Sequence, residues 1–202
     1  MRRNRLHKTR TTSGDRGFSL LEVMIAIVVM SIGLMAVIAS LVTAMAATQS
    51  GQLDLIARQK ALEALESIYT ARNSQQIPFA EVANQANGGI FVGTAMQLLC
   101  PGADGLEGTS DDVPCTDQNG NVCPDGGAQC MVLPGKDGIL GTIDDVTMSL
   151  GNFSRTITIT PVLLPSGAVN QNMMAITVSV SYTKAGMPAR TYTVNGLISS
   201  YH

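Results

Sequence analysis

Tryptophan is absent from this 202-residue chain, and histidine nearly so, His7 and His202 being the only two. With so little histidine there is no nucleophile–base pair, no zinc motif and no phosphate-binding loop, so an enzyme is not expected. Charge is sparse: 14% of residues are acidic or basic, against about 25% in an average soluble domain. Between Val23 and Leu53 there is no charged residue at all. The four cysteines, Cys100, Cys115, Cys123 and Cys130, contain no C-x-x-C pair. That argues against zinc, and an even number beyond a hydrophobic segment argues for two disulfides. Three connectivities are possible, with neighbour pairing the working guess.

The net charge of −2 averages two unlike regions. Residues 2–16 hold six bases and one acid, Asp15, whereas the chain after Gly17 holds seven bases and fourteen acids. So acidic a remainder is not expected to bind nucleic acid, which requires Lys and Arg to displace counterions.

The core of the uncharged run, VMIAIVVMSIGLMAVIASLV, is about the 20 residues needed to cross a bilayer as a helix. The bases before it place the N-terminus in the cytoplasm. No small-residue cleavage site ends a short hydrophobic region, as a secretory signal requires. One residue does not fit a plain anchor: Glu22, an acid at the mouth of the run. Near a helix centre a carboxylate costs roughly 2.5–3.5 kcal/mol on insertion scales, and less near an end. A cation close by would make it tolerable. Cutting after Gly17 would supply one, the new amine of Phe18, one helical turn from Glu22.

The stretch Gly17-Phe18-Ser19-Leu20-Leu21-Glu22, followed by the apolar run, resembles the class III signal of type IV prepilins. The resemblance implies cleavage after Gly17 by a prepilin peptidase, N-methylation of Phe18 and use of Glu22 in docking to other pilin subunits. It implies residence in a bacterial inner membrane before assembly, head in the periplasm, and then a place in a surface pilus. Many major pilins carry a proline where Ala39 stands here. Together with Ser31-Ile32-Gly33-Leu34-Met35, this is similar to minor pilins of the PilV type and to type II secretion pseudopilins.

Residues 54–76 are rich in helix formers and lack Pro and Gly. Leu55, Arg58, Leu62, Leu65 and Ile68 or Tyr69 follow helical spacing, which predicts the face that packs on a domain. Pro78 marks the expected end. Gly33 and Gly51 are places for bending or for close helix contact.

A repeat follows. The pattern P-G-x-D-G-x-x-G-T-x-D-D-V occupies 101–113 and again 134–146, 33 residues apart. Its glycines permit tight turns, and its carboxylates (Asp104, Asp111, Asp112; then Asp137, Asp144, Asp145) would cluster. Ca²⁺ takes about six to eight oxygens of this kind, so calcium is the expected cofactor, although the spacing is not that of an EF-hand. The pattern resembles Asp/Gly-rich calcium loops of bacterial surface proteins; the alternative is a pair of solvated turns. Beyond it, alternation over 153–163, 174–182 and 190–199 predicts a three-stranded antiparallel meander.

The expected architecture is α+β and pilin-like: a cleaved leader 1–17; a long helix over 18–77, about 22–46 in the membrane; a Cys-containing loop region over 78–150; and a sheet over 151–202. The expected function is that of a minor pilin, with a pseudopilin or a calcium-stabilised adhesive tip as alternatives.

Overall fold

The computed structural model describes residues 19–117, 120–184 and 187–201. Gly17 and Phe18 lie outside them. The chain opens on α1, Leu20–Asn73, a 54-residue helix unbroken through Gly33 and Gly51. Two compact units part between Gln49 and Ser50.

In the first unit the apolar side chains of α1 are exposed throughout, from Leu20 to Met45. Its most apolar 18-residue window has a mean hydropathy of 2.8 and none of it is buried. Its hydroxyls turn back on the helix: Ser31 donates to the Ile27 carbonyl at 2.7 Å and Thr48 to that of Ala44 at 3.0 Å. Polar atoms are thus satisfied within the helix, as an apolar solvent demands.

The second unit is built on the remainder of α1. Its buried face is Ala57, Ala61, Ala64, Leu65, Ile68, Ala71 and Arg72. Of the expected packing stripe, Leu65 and Ile68 are buried, whereas Leu55 is 66% exposed and Arg58 is exposed, which corrects its N-terminal part. The alanines explain the difference. Ala57, Ala61, Ala64 and Ala71 recur at helical spacing on the same face as Leu65 and Ile68, so the buried stripe is set largely by small residues. The helix ends at Asn73, before Pro78, with Gln75 in left-handed conformation at φ 61°.

The main sheet has four strands, all neighbours antiparallel, in the order β1 (Met96–Gln97), β4 (Phe153–Leu163), β5 (Val169–Lys184), β6 (Met187–Ser199). The meander supplies three of these, and β1 adds a short edge. Inward positions Phe153, Ile157, Ile159, Ile176, Val178 and Val180 are buried. On the outer face hydroxyls and an amide pair across β5 and β6, as in Ser179–Thr193 at 3.0 Å and Thr177–Asn195 at 2.9 Å. Gly196 lies against α1, since a Cβ there would run into Tyr69 and Leu65. A separate hairpin, β2 (Cys130–Leu133) and β3 (Val146–Ser149), carries the second repeat copy as its loop. Disulfides join Cys100 to Cys115 and Cys123 to Cys130.

The segment 78–99 is silent as a pattern yet supplies Val82, Phe91 and Leu98 to the core. Asn84 ties it down. The buried amide donates to the Ile157 carbonyl and accepts from the Ile159 N–H, both at 2.8 Å, completing the edge of β4. Asn84→Ala is expected to cost about 2–4 kcal/mol, because it leaves two backbone groups of β4 unpaired. Denaturant unfolding of the detergent-solubilised chain would measure it.

Candidate functional site

The N-terminal features begin, among the described residues, at Glu22 in the first turn of α1. The Glu22 N–H bonds the Ser19 carbonyl at 2.9 Å. A carboxylate here also faces the positive end of the helix dipole. Beyond it lies a cylinder of exposed apolar side chains, a surface that only lipid or other apolar helices can cover.

The two repeat copies fold alike. In the first, Asp104 Oδ1 accepts the Leu106 N–H at 2.8 Å, Asp111 Oδ2 the Asp104 N–H at 3.1 Å, and Asp112 Oδ2 the Gly108 N–H at 2.9 Å. The second repeats each bond: Asp137 with Ile139 at 2.9 Å, Asp144 with Asp137 at 3.3 Å, and Asp145 with Gly141 at 2.7 Å. Thr109 and Thr142 donate to Asp111 and Asp144 at 2.5 and 2.7 Å. The glycines match as well, Gly108 at φ 85° and Gly141 at 87°. The six carboxylates thus each close a turn by accepting local donors. Among the described residues no three His, Cys, Asp or Glu side chains are grouped so as to hold a metal.

The threonine hydroxyls, with help from the backbone N–H groups, hold Asp111 and Asp144 below the ordinary carboxylate value of 3.8. Groups depressed in the folded state stabilise it fully above their unfolded pKa, and that stability is lost as pH falls through the folded value. Asp112 has the opposite sign: burial raises it, against the pull of the Gly108 N–H and Arg155, so acid relieves rather than removes. Asp111→Asn with Asp144→Asn is therefore expected to flatten the acid limb of stability below about pH 4, read as melting temperature against pH.

The copies differ in their surroundings. Arg155 on β4 is 3% exposed, forms an ion pair with the buried Glu107 and lies 4.0 Å from Asp112 Oδ2. Gln129 Nε2 donates to the other Glu107 oxygen and to the Leu99 carbonyl, each at 2.9 Å. The sequence reading missed Arg155, although it holds the inward parity of β4 between Phe153 and Ile157. It missed also the Asp54 carboxylate, which accepts from Tyr182 at 2.6 Å and Arg190 at 2.8 Å and ties α1 to the sheet.

Residues 12–38 match the family model described as the prokaryotic N-terminal methylation motif. No curated protein and no solved structure matches the chain. The match spans Gly17, Glu22 and the start of the exposed apolar helix, and the later part of the same helix belongs to a unit that holds an antiparallel sheet and two disulfides. The protein therefore carries a type IV prepilin-like class III signal on a membrane-anchoring helix, within a pilin-like α+β fold.

Proposed function

We propose that the protein is a non-enzymatic subunit of a type IV pilus, in the position of a minor pilin acting in assembly or at the tip. One observation carries this: the methylation motif runs directly into the first-unit part of α1, whose apolar side chains are all exposed, with a single carboxylate at its mouth. A plain anchor needs neither the motif nor the carboxylate. In this reading a prepilin peptidase on the cytoplasmic side cuts after Gly17, and the amine of Phe18 is methylated and stays charged. The helix then leaves the inner membrane for a bundle of other pilin helices. Ala39, in place of the proline common in major pilins, supports a minor subunit.

The test is mass spectrometry of the N-terminal peptide, taken separately from sheared surface filaments and from membranes. A methylated Phe18 terminus in the filaments is the expected result. The same terminus confined to membranes would assign the chain to the short filament of type II secretion. An intact leader in both, with the peptidase active, would leave an ordinary signal anchor.

Calcium capture by the repeated loops is a second proposal, supported by the duplication of the carboxylate pattern with one geometry in both copies. It is expected to raise the melting temperature of the head, and to make residues 100–146 protease-sensitive in chelator. Identical melting with calcium and with chelator would leave the carboxylates as turn acceptors alone.

A further inference from the structure

The repeat offers an internal comparison: one loop fold, once seated on the protein and once not. In the first copy Leu106 is 2% exposed and Glu107 5%. Their counterparts in the second copy, Ile139 and Leu140, are 60% and 61% exposed, and Ile143, opposite Ser110, stands fully in solvent. A Cβ on Gly108 would run into Ile157, whereas nothing lies within 4 Å of that point at Gly141. Asp112 faces Arg155, whereas Asp145 has no ion pair among the described residues. The second loop thus has the shape of a seated loop without its seat. Where the first copy has Glu107 the second has Leu140, so the missing seat must be the more apolar of the two.

Beside the second loop a cavity of about 380 Å³ is lined by Asp117, Val132, Gly141, Thr142, Ile143, Asp145 and Thr147. The Asp117 carboxylate already accepts from Asn121, whereas Asp145 on the same wall suits a long basic side chain with an apolar stem. We infer that the second loop is a docking knob for a different protein, one that sets an arginine or lysine against Asp145 and offers an apolar floor to Ile139, Leu140 and Ile143.

The occupant follows from charge and from the seat already filled. A second copy has its own Arg155 covered by its own first loop. Its Leu55–Arg58–Leu62 face sets Arg58 and Lys60 against Glu63 and Glu66 in one groove of no net charge. That gives the acidic loop no net attraction. An anionic lipid surface would be repelled by Asp137, Asp144 and Asp145. A basic, apolar protein surface meets both requirements, and the inference does not depend on the filament reading.

The test places a photo-reactive amino acid at position 143 of the full-length chain in its own cells. The expected product is a cross-link to one other protein, at a peptide with Lys or Arg beside apolar residues. The same probe at position 110 should give none. Asp145→Asn, which keeps an acceptor for the Gly141 N–H, and Ile139→Ser with Leu140→Ser should each lower the yield at least about tenfold, as loss of an interface anchor does. Ile139 and Leu140 are 60% and 61% exposed, so the serine pair is expected to melt unchanged, which separates lost docking from lost folding. Cross-links to lipid or to another copy, no cross-link, or yields indifferent to these variants would overturn the inference.

Discussion

A chain carrying Arg155→Met is expected to lose about 3–5 kcal/mol of head-domain stability, the cost of breaking a buried ion pair from one side. Arg155 and its partners Glu107 and Asp112 have side chains between 1% and 7% exposed, so water cannot take the place of the guanidinium. Gln129 makes only part of the compensation for Glu107, since one amide donor reaches one carboxylate oxygen. The loss should be recoverable. Replacing a buried pair by apolar residues of similar volume is often neutral or stabilising. The second repeat copy already uses Leu140 where the first uses Glu107. Arg155→Met combined with Glu107→Leu is therefore expected to return most of the stability, giving a coupling of about 2–3 kcal/mol in a double-mutant cycle. Leu140→Glu, at an exposed position, should leave melting unchanged. An Arg155→Met variant within about 1 kcal/mol of the parent would mean that the network is hydrated and that the first loop is not seated by charge.

The same network marks the limit of what the sequence discloses. The anchor helix is legible because a bilayer sets its length and excludes charge, and the strands because period-2 alternation, as at Ile157 and Ile159, has no helical equivalent. The packing face of α1 is not legible by the same route. Leu55 and Leu62 carry the greater hydropathy, but the buried face runs through Ala57, Ala61 and Ala64, and Leu65 and Tyr69 beside them meet Gly196, which leaves room for them. Residues 78–99 lack periodicity because the Asn84 side chain, isolated bridges and the two-residue strand β1 hold them rather than a long strand or helix. Nor could the repeat disclose that its copies live differently. Thirteen positions share a backbone, and the distinction between a seated loop and an open one resides in β4, more than forty residues from the first copy. Arg155 was readable only as a charge at inward parity, and a charge there demands a partner that the strand itself does not name.

Glu22→Gln is expected to keep the helix in the membrane and to remove the protein from filaments. The two outcomes separate because the substitution acts on two terms of opposite sign. In lipid a carboxylate near the end of the span is a cost, up to roughly 2.5–3.5 kcal/mol were it central, so glutamine should insert at least as well. In a bundle of apolar helices, on the proposed reading, the same carboxylate would gain a partner, the charged amine that cutting after Gly17 would leave on Phe18. The pair sits where low dielectric strengthens attraction and screening by salt is weak. Glutamine keeps the size of the side chain and a hydrogen-bonding amide, and loses only the charge. A loss of as little as 1.4 kcal/mol per subunit contact already corresponds to about a tenfold fall in incorporation. The ratio of the protein in sheared filaments to that in membranes should therefore drop at least about tenfold, while the membrane pool stays constant or grows. If the ratio is unchanged, Glu22 does not pair with the terminus. The apolar run would then be held in the filament by surface burial alone, and the acid at its mouth would have no part in assembly.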